Sequence, residues 1–218
     1  MRTLFHFTAG PGFYAEAVKH FVARMDGWRH VGVSHEEGLV MQRCRAIAPS
    51  AILGDLNAPN VLQILREMNR LSGTALVISF ERLRDWHIFE LNRNGISRIV
   101  SSRPDRLHEL RQALKSIEIG SAYLSPEWSD ASRDFRSRKN TFFKFLGPRQ
   151  IDLLPFLGHG LSNDEIAAHL ELSPCTIQNH RHQIMSKLGL KSRSELVLWC
   201  IQHGVPAHGE LPYVKNKK

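Results

Sequence analysis

The chain has 218 residues, of which 42% are hydrophobic and 23% charged, and this ordinary globular composition argues against a wholly disordered protein. Its 29 basic residues exceed its 21 acidic ones, giving a net charge of +8, which favours a polyanionic partner such as nucleic acid or an anionic membrane surface. No apolar stretch approaches the ~20 residues of a membrane span. Three widely spaced cysteines form no CxxC pair and no even-numbered disulfide set. We therefore expect a reduced, cytoplasmic protein that does not enter a membrane.

The first 120 residues alternate short apolar runs with amphipathic segments. Five runs have the length and composition of buried strands: residues 3–8, 28–33, 51–55, 75–79 and 97–101. Helical periodicity follows each of them, over residues 13–25, 36–46, 60–71, 81–94 and 104–117. Five strand-then-helix units with short connections predict a doubly wound, five-stranded parallel sheet, which is a flavodoxin-like α/β domain over residues 1–120.

The composition changes after residue 120. Residues 125–140 are polar and charged and show no helical or strand period, which is typical of a linker. We therefore place the domain boundary in a linker over residues 121–144. The positive charge is concentrated near the end of the chain, because residues 173–218 hold seven basic residues against two acidic ones. The last of these basic residues form a tail over residues 208–218.

The segment over residues 145–207 carries the start and stop signals of four short helices. Serine caps open three of them, two as Ser-x-x-Glu capping boxes and one followed by proline: Ser162, Ser192 and Ser173. Gly189 and Gly204 mark two helix ends. A turn of three residues, 171–173, joins the middle pair, so the segment is predicted to be an all-α, four-helix, helix-turn-helix domain.

The helix that follows this turn, residues 174–188, has two contrasting faces. Ile177, Ile184 and Leu188 recur at spacings of seven and four, so they face the core. The opposite face carries polar side chains suited to the donors and acceptors of base edges: Gln178, Asn179 and His182. Residue types that contact phosphates surround this face: Thr176, Arg181, Lys187, Lys191 and Arg193. The pattern favours double-stranded DNA as the partner, although a polar stripe alone is more often a solvated helix face.

Motifs at matching spacing in this segment resemble the LuxR-type DNA-binding domain of the NarL/FixJ response regulators. They are Leu146-Gly-Pro-Arg149, Gly160-Leu-Ser-Asn-Asp-Glu-Ile-Ala167, Thr176-Ile-Gln-Asn-His180 and Lys187-Leu-Gly-Leu-Lys-Ser-Arg-Ser194. The resemblance covers residues 145–204. By position it implies phosphate contacts at Thr176 and Lys187, base reading by the polar face described above, and dimerisation through the last helix, 193–202.

The N-terminal α/β domain, in turn, resembles a response-regulator receiver, in which Mg²⁺ assists phosphoryl transfer to an aspartate. Asp55, at the end of the third predicted strand, matches the phospho-acceptor, and Ser79, at the end of the fourth, matches the hydroxyl residue. Thr8 and Ala9 replace the acidic pair of the family, and Ser102 replaces its lysine, or Arg103 if the register is shifted by one residue. One carboxylate rarely suffices for Mg²⁺, so this pattern indicates a vestigial phospho-acceptor pocket in an atypical receiver.

These patterns predict a sequence-specific, DNA-binding transcription regulator that is a homodimer on a two-fold DNA site and independent of phosphorylation. Two alternatives stay open: a conventional phospho-activated two-component response regulator that uses Asp55, and a protein-interaction adaptor that dimerises through its helical domain. RNA polymerase or a regulatory protein is a further candidate partner. We expect no enzyme activity, cofactor or metal, because His180 and His182 lie on different sides of a helix and Asp55 lacks an accompanying base.

Overall fold

The computed structural model describes residues 1–10, 12–58, 61, 64, 74–138 and 142–205. The chain divides into two units. One unit comprises residues 1–83 and 90–133, and the other comprises residues 84–89 and 134–218. Each unit has a hydrophobic core of its own.

One parallel sheet organises the first unit, with the strand order β2-β1-β3-β4-β5-β6. Its strands are β1 Arg2–Phe7, β2 Trp28–Ser34, β3 Ala51–Asp55, β4 Ala75–Phe80, β5 Arg98–Ser101 and β6 Tyr123–Leu124. The central strands are buried along most of their length, as a sheet covered on both faces requires. The doubly wound parallel class predicted from the sequence is therefore confirmed.

The sheet has a sixth strand where five were predicted. In β6 the backbone N–H of Tyr123 donates to the carbonyl of Ser97 (2.9 Å), and Ser125, just after it, donates to Ile99 (2.9 Å). Two residues are too few for any hydrophobic period to show in the sequence. Only the pairing of its backbone with β5 identifies this segment as a strand.

Five helices alternate with or follow these strands: α1 Phe13–Ala23, α2 Glu37–Ile47, α3 Asp85–Arg93, α4 Leu107–Glu118 and α5 Pro126–Ser137. The core on one face of the sheet joins strand residues such as Leu53 and Val77 to Val18 of α1 and Leu114 of α4. The helix predicted over residues 60–71 falls almost entirely outside the described residues.

The polar segment predicted to lack a period contains α5, so that prediction is wrong. Trp128, Ser132 and Phe135 are all buried, at spacings of four and three residues. A serine occupies the middle position of this stripe, which is why the helical period is hidden in a hydrophobic pattern. The linker over residues 121–144 stays a prediction of where the domains divide.

Four helices form the second unit's helical domain, as predicted: α6 Pro148–Gly158, α7 Asn163–Leu170, α8 Pro174–Leu188 and α9 Arg193–His203. Their core is built around fully buried side chains from each helix: Leu154, Ile166, Ile177, Ile184 and Leu196. None of the helices in the described ranges combines the length and the apolar composition needed to cross a bilayer.

The predicted caps of this domain are present with one exception. Ser162 and Glu165 form both bonds of the first capping box, and Ser173 accepts from the backbone N–H of Thr176 at 3.1 Å. At the second box Ser192 accepts from Glu195, but the Glu195 carboxylate accepts from the backbone N–H of Lys191 at 2.7 Å. The predicted return bond from the Ser192 N–H is therefore wrong, because the Glu195 carboxylate accepts from the N–H of Lys191, one residue earlier.

Candidate nucleic-acid interface and receiver pocket

Helix α8 is fixed in the second unit by its start, its end and its inner face. The turn before it passes through Glu171 in the left-handed region (φ 54°), and Ser173 then caps the helix with Pro174 at its first position. Its end is at Gly189 (φ 69°). Ile177 and Ile184 are fully buried on the inner face. The helix therefore has one anchored side, which determines which side chains reach the surface.

The three predicted base-reading side chains share the outer side of α8. Gln178, Asn179 and His182 are all exposed. The Asn179 amide nitrogen is 4.0 Å from the Cys175 thiol, one turn earlier in the same helix. Both amides keep donors and acceptors available at the surface, which is what reading a base edge requires.

Four of the five predicted phosphate contacts also reach the surface. Lys187, Lys191 and Arg193 are exposed, and Thr176 is half-buried. The Thr176 hydroxyl lies 2.8 Å from that of Ser173, so one of the two hydroxyls donates to the other at the start of α8. Hydroxyl groups at the start of a helix suit an anionic oxygen.

Arg181 does not belong with them, so its assignment as a phosphate contact is corrected. Its side chain is buried, with 3% of the residue exposed. The guanidinium donates to the Asn163 side-chain oxygen (2.9 Å) and to the Leu161 carbonyl (2.7 Å). It therefore ties α8 to the start of α7, and burial lowers its pKa, with a further contribution from Arg193.

Gln150 also contributes to this surface, through a contact that the sequence did not predict. It lies at the start of α6, and its side-chain oxygen accepts from the Lys187 ammonium at 2.9 Å. Because this contact joins residues 37 positions apart, no local motif announces it.

In the first unit, Thr8 and Asp55 meet at the carboxyl edge of the sheet. The Thr8 hydroxyl donates to one Asp55 oxygen at 3.3 Å, and the backbone N–H of Asn57 donates to the other at 3.0 Å. The backbone N–H of Ala9 also donates to this carboxylate. The residues that replace the family's acidic pair therefore surround Asp55 with donors.

Ser79 and Ser102 lie at the same edge. Ser79 is paired in register with Asp55, is fully buried, and donates to the Gly54 carbonyl at 3.5 Å. Ser102 follows the last residue of β5, and its backbone N–H donates to the Phe80 carbonyl at 2.7 Å. All four pocket residues predicted from the sequence thus reach one edge, although a side-chain hydrogen bond joins only Thr8 and Asp55 among the contacts described.

Comparison with known proteins identifies a family match and several similar proteins. Residues 144–200 match the family described as bacterial regulatory proteins, luxR family. The oxygen regulatory protein NreC of Staphylococcus aureus is 28% identical over 174 residues, which cover 74% of this chain and 79% of NreC. The chain resembles the NarL/FixJ-type response regulators.

Solved response regulators share the fold of this chain. RcsB from Salmonella enterica serovar Typhimurium, bound to promoter P1flhDC, has a TM-score of 0.64 at 15% identity, covering 91% of this chain and 97% of RcsB. A LuxR-family two-component response regulator from Aurantimonas sp. SI85-9A1 has a TM-score of 0.54 at 19% identity, covering 62% of this chain and 98% of that one.

The pocket at the carboxyl edge of the sheet does not fit the Mg²⁺ that a receiver uses. Among the described residues, no group of three or more acidic, histidine or cysteine side chains could hold a metal ion. Both oxygens of Asp55 already accept hydrogen bonds from Thr8 and Asn57. Because Mg²⁺ takes carboxylate and water oxygens in near-octahedral geometry, a single carboxylate bonded in this way is a poor ligand set.

The charge state of Asp55 follows from the same surroundings. Burial raises the pKa of this carboxyl above its ordinary value, and Glu81 adds to the rise. The hydrogen bonds from Asn57 and Thr8 act in the opposite direction, because they stabilise the carboxylate.

His6 is a buried polar residue of the α/β unit that no sequence motif indicates. It lies in β1 on the face covered by α1, and 0% of its surface is exposed. Within the described part of the chain neither ring nitrogen has a hydrogen-bond partner. Its ring centroid lies 5.9 Å from Tyr14 and 6.5 Å from His30, both edge-on. Burial, with smaller contributions from His30 and His35, lowers its pKa to about 3.

Proposed function

We propose that this response regulator binds double-stranded DNA sequence-specifically and thereby controls transcription, with α8 lying in the major groove. The observation that carries the proposal is the division of α8 into a buried apolar side and an exposed polar side. Ile177 and Ile184 anchor the first, while Gln178, Asn179 and His182 present the second. The promoter-bound state of RcsB and the regulatory role in the name of NreC support the same function.

Two kinds of contact divide the work on the DNA. Gln178 and Asn179 suit bidentate reading of adenine, and His182 suits a guanine or a phosphate. Phosphate contacts come from residues that surround these three: Thr176, Lys187, Lys191 and Arg193. Phosphate contacts contribute affinity and fix the register, whereas base contacts contribute the preference for a sequence.

A salt titration on a mixed DNA pool tests the binding itself. Affinity should fall steeply as salt rises, because each neutralised phosphate releases a counterion, and Lys187→Ala should lower the slope of log K against log salt by about 0.9 on every sequence. Lys115→Ala is the matched control, since it removes the same charge from an exposed position of α4. A protein that retains no DNA at low salt but is dimeric would instead be the interaction adaptor.

Alanine substitutions on the exposed face test the reading roles. Gln178→Ala or Asn179→Ala should cost about 1–3 kcal/mol on the preferred site and relax the preference at one base position. Equal losses on every sequence would contradict the division between base and phosphate contacts. Selection of bound fragments from a genomic library supplies the preferred site.

We propose that the regulator is a homodimer joined through α9. Leu196 and Cys200 of this helix are fully buried, but Leu198 is 58% and Ile201 38% exposed. These two apolar side chains are three residues apart, so they lie on one face, and a second copy would cover them. Leu198→Glu should dissociate the dimer in light scattering, whereas a monomeric wild type at tens of micromolar, on and off DNA, would contradict the proposal.

We further propose that phosphorylation does not control this regulator. Asp55 is enclosed by donors from Thr8, Ala9 and Asn57, and the pocket lacks the carboxylates that hold Mg²⁺. After treatment with acetyl phosphate and Mg²⁺ we expect no added mass and the same DNA affinity as Asp55→Ala. A stable phosphoryl adduct with tighter DNA binding, both abolished in Asp55→Ala, would instead establish a conventional phospho-activated regulator.

The remaining parts of the proposal concern its surroundings. We propose that the protein acts in the cytoplasm as a regulator and not as an enzyme, with RNA polymerase or a regulatory protein as its second partner. At the carboxyl edge, Asp55 and the Ser79 hydroxyl are engaged in hydrogen bonds to their neighbours, an arrangement that supports this choice over hydrolysis.

A further inference from the structure

A small hydrogen-bond network links α6 to α8 beneath the candidate DNA surface. Gln150, of which 6% is exposed, is its centre. The Gln150 side-chain oxygen accepts from the backbone N–H of Gly147 (3.1 Å) and from the Lys187 ammonium (2.9 Å). Its side-chain nitrogen donates to the Gln183 oxygen at 2.9 Å. One buried amide thus contacts two residues of α8 that lie one turn apart.

The chemistry of the partners fixes which end of the Gln150 amide faces Lys187. A backbone N–H and an ammonium are donors only, so the atom between Gly147 and Lys187 has to be the oxygen. The negative end of the amide dipole therefore points at the ammonium. It orients the charge of Lys187 without cancelling it, because an amide carries no net charge.

We propose that Gln150 is a positioning residue for DNA binding, which holds the Lys187 ammonium ready for a phosphate while leaving its full charge to the DNA. The proposal rests on the proposed function, in which Lys187 contacts a phosphate. A long, exposed lysine loses rotamer freedom when it binds, so a side chain that is already held loses less. A carboxylate at position 150 would accept the same bonds but would compete with the phosphate for the ammonium.

Gln150→Glu tests this idea, because it keeps the size and shape of the side chain and adds the competing charge. Gln183 can rotate its amide by 180° to donate to the new oxygen, so we expect the thermal unfolding midpoint to stay near that of the wild type. Affinity should fall equally on all DNA sequences, about tenfold at 50 mM salt and about threefold at 200 mM, as the loss of one counterion requires. Gln112→Glu is the matched control, since it adds the same charge at an exposed position of α4.

A second pair of variants tests whether the effect passes through Lys187. Gln150→Met removes the carbonyl oxygen and the NH₂ group of the side chain but leaves the lysine charge. The affinity for DNA should therefore fall while the salt slope stays that of the wild type. In a Lys187→Ala background the same Gln150→Met substitution should have no further effect on affinity. A role in stability alone would lower affinity by the same factor in both backgrounds.

The outcomes separate this inference from the proposed function. A wild-type protein without salt-dependent DNA binding would refute the proposed function itself. A wild-type protein that binds DNA, with Gln150→Glu matching Gln112→Glu in affinity and slope, would overturn the role of Gln150 and leave the proposed function intact. A reduced slope for Gln150→Glu alone, lost in the Lys187→Ala background, is the result we expect.

Discussion

The two units place their polar side chains in opposite ways. In the helical domain, Gln178, Asn179 and Lys187 point to the surface from a helix whose inner side is fully buried. In the α/β unit, Asp55 is half-buried among hydrogen-bond donors and Ser79 is fully buried. At these two sites, the polar groups of the α/β unit are therefore satisfied internally, whereas those of the helical domain are available to a partner.

This contrast separates binding from switching. A receiver changes state because a phosphoryl group and its metal ion bind one state better than the other, and a ligand without such a difference shifts nothing. The Thr8 hydroxyl and the Asn57 N–H already occupy the oxygens of Asp55, so the pocket has little differential binding to offer. In the proposed function, the exposed face of α8 needs no such change in order to bind DNA.

The largest expected effect on stability concerns Arg181, the one buried cation of α8. This residue departs from the contrast because it is a polar group of the helical domain that is satisfied internally. Arg181→Met keeps a long apolar stem but leaves the Leu161 carbonyl and the Asn163 oxygen without their donor. We expect the free energy of unfolding to fall by about 2–4 kcal/mol, because both acceptors sit beside a buried position. Urea denaturation followed by circular dichroism measures this loss.

Lys191→Met is the matched control for Arg181. It removes a positive charge of the same domain from an exposed site, so we expect the stability to change by at most about 0.5 kcal/mol while the salt slope of DNA binding falls by about 0.9. Arg181→Met should leave that slope unchanged. The reverse pattern, a stable variant with a reduced slope, would restore Arg181 to the phosphate contacts.

A second effect on stability concerns the core of the α/β unit, where a buried polar group is not satisfied internally. His6→Leu replaces a buried imidazole without described partners by an apolar side chain of similar volume. We expect the protein to gain about 1–3 kcal/mol at neutral pH, because an unpaired buried polar group costs that much. His108→Leu, at an exposed site of α4, should change the stability by at most about 0.5 kcal/mol.

The pH dependence gives His6 a second, independent readout. The pKa of His6 is lowered from 6.5 to about 3 in the folded protein. As the pH falls, the imidazole is therefore protonated near pH 6.5 in the unfolded chain but only near pH 3 in the folded protein. Stability is therefore fully present above pH 6.5 and is lost as the pH falls toward 3, at up to about 1.4 kcal/mol per pH unit. In His6→Leu the acid loss should be shallower, and an unchanged loss would mean that His6 is not its source.

Local signals made the helical domain predictable. The Ser162–Glu165 cap, the three-residue turn and Gly189 each depend on residues within a few positions of one another, so the sequence contains the whole device. The exposed side of α8 follows from the spacing of its isoleucines. Among these caps, only the predicted return bond to Ser192 is absent, because the Glu195 carboxylate accepts from the neighbouring N–H of Lys191.

Two errors came from polar residues on buried stripes. Arg181 lies four residues after Ile177 and three before Ile184, so it occupies the core side of α8 although its charge suggested the surface. Ser132 has the same position in the buried stripe of α5. In both cases the helical spacing indicates a buried position, whereas the polar residue type indicates an exposed one.

Contacts between distant residues could not be predicted in this way. The sequence places Thr8 and Asp55 at one sheet edge, because both follow or end parallel strands, but their hydrogen bond joins positions 47 residues apart. The bond between Gln150 and Lys187 joins positions 37 apart. Such pairs depend on how whole elements pack, which no local pattern records.

The smallest expected effect on stability compares one helix end in each unit. Among the described residues, each unit has one helix that ends at a non-glycine residue with positive φ. Ala48 ends α2 at φ 45°, and Glu171 ends α7 at φ 54°. A left-handed conformation costs an L-residue roughly 1–2 kcal/mol, and glycine's greater freedom in the unfolded chain offsets roughly half of the relief. Ala48→Gly and Glu171→Gly should therefore each raise the free energy of unfolding by about 0.5–1 kcal/mol.

Glu171→Ala separates backbone relief from loss of the acidic side chain, since alanine stays strained at this φ. We expect it to gain nothing, whereas Gly189→Ala, at φ 69°, should lose about 1 kcal/mol by introducing the same strain. Urea titrations of the full chain compare all four variants under one condition. Because the strain is local, equal gains in the two units are expected although their treatment of polar groups differs. A gain in Glu171→Ala as large as in Glu171→Gly would assign the effect to the charge and not to the backbone.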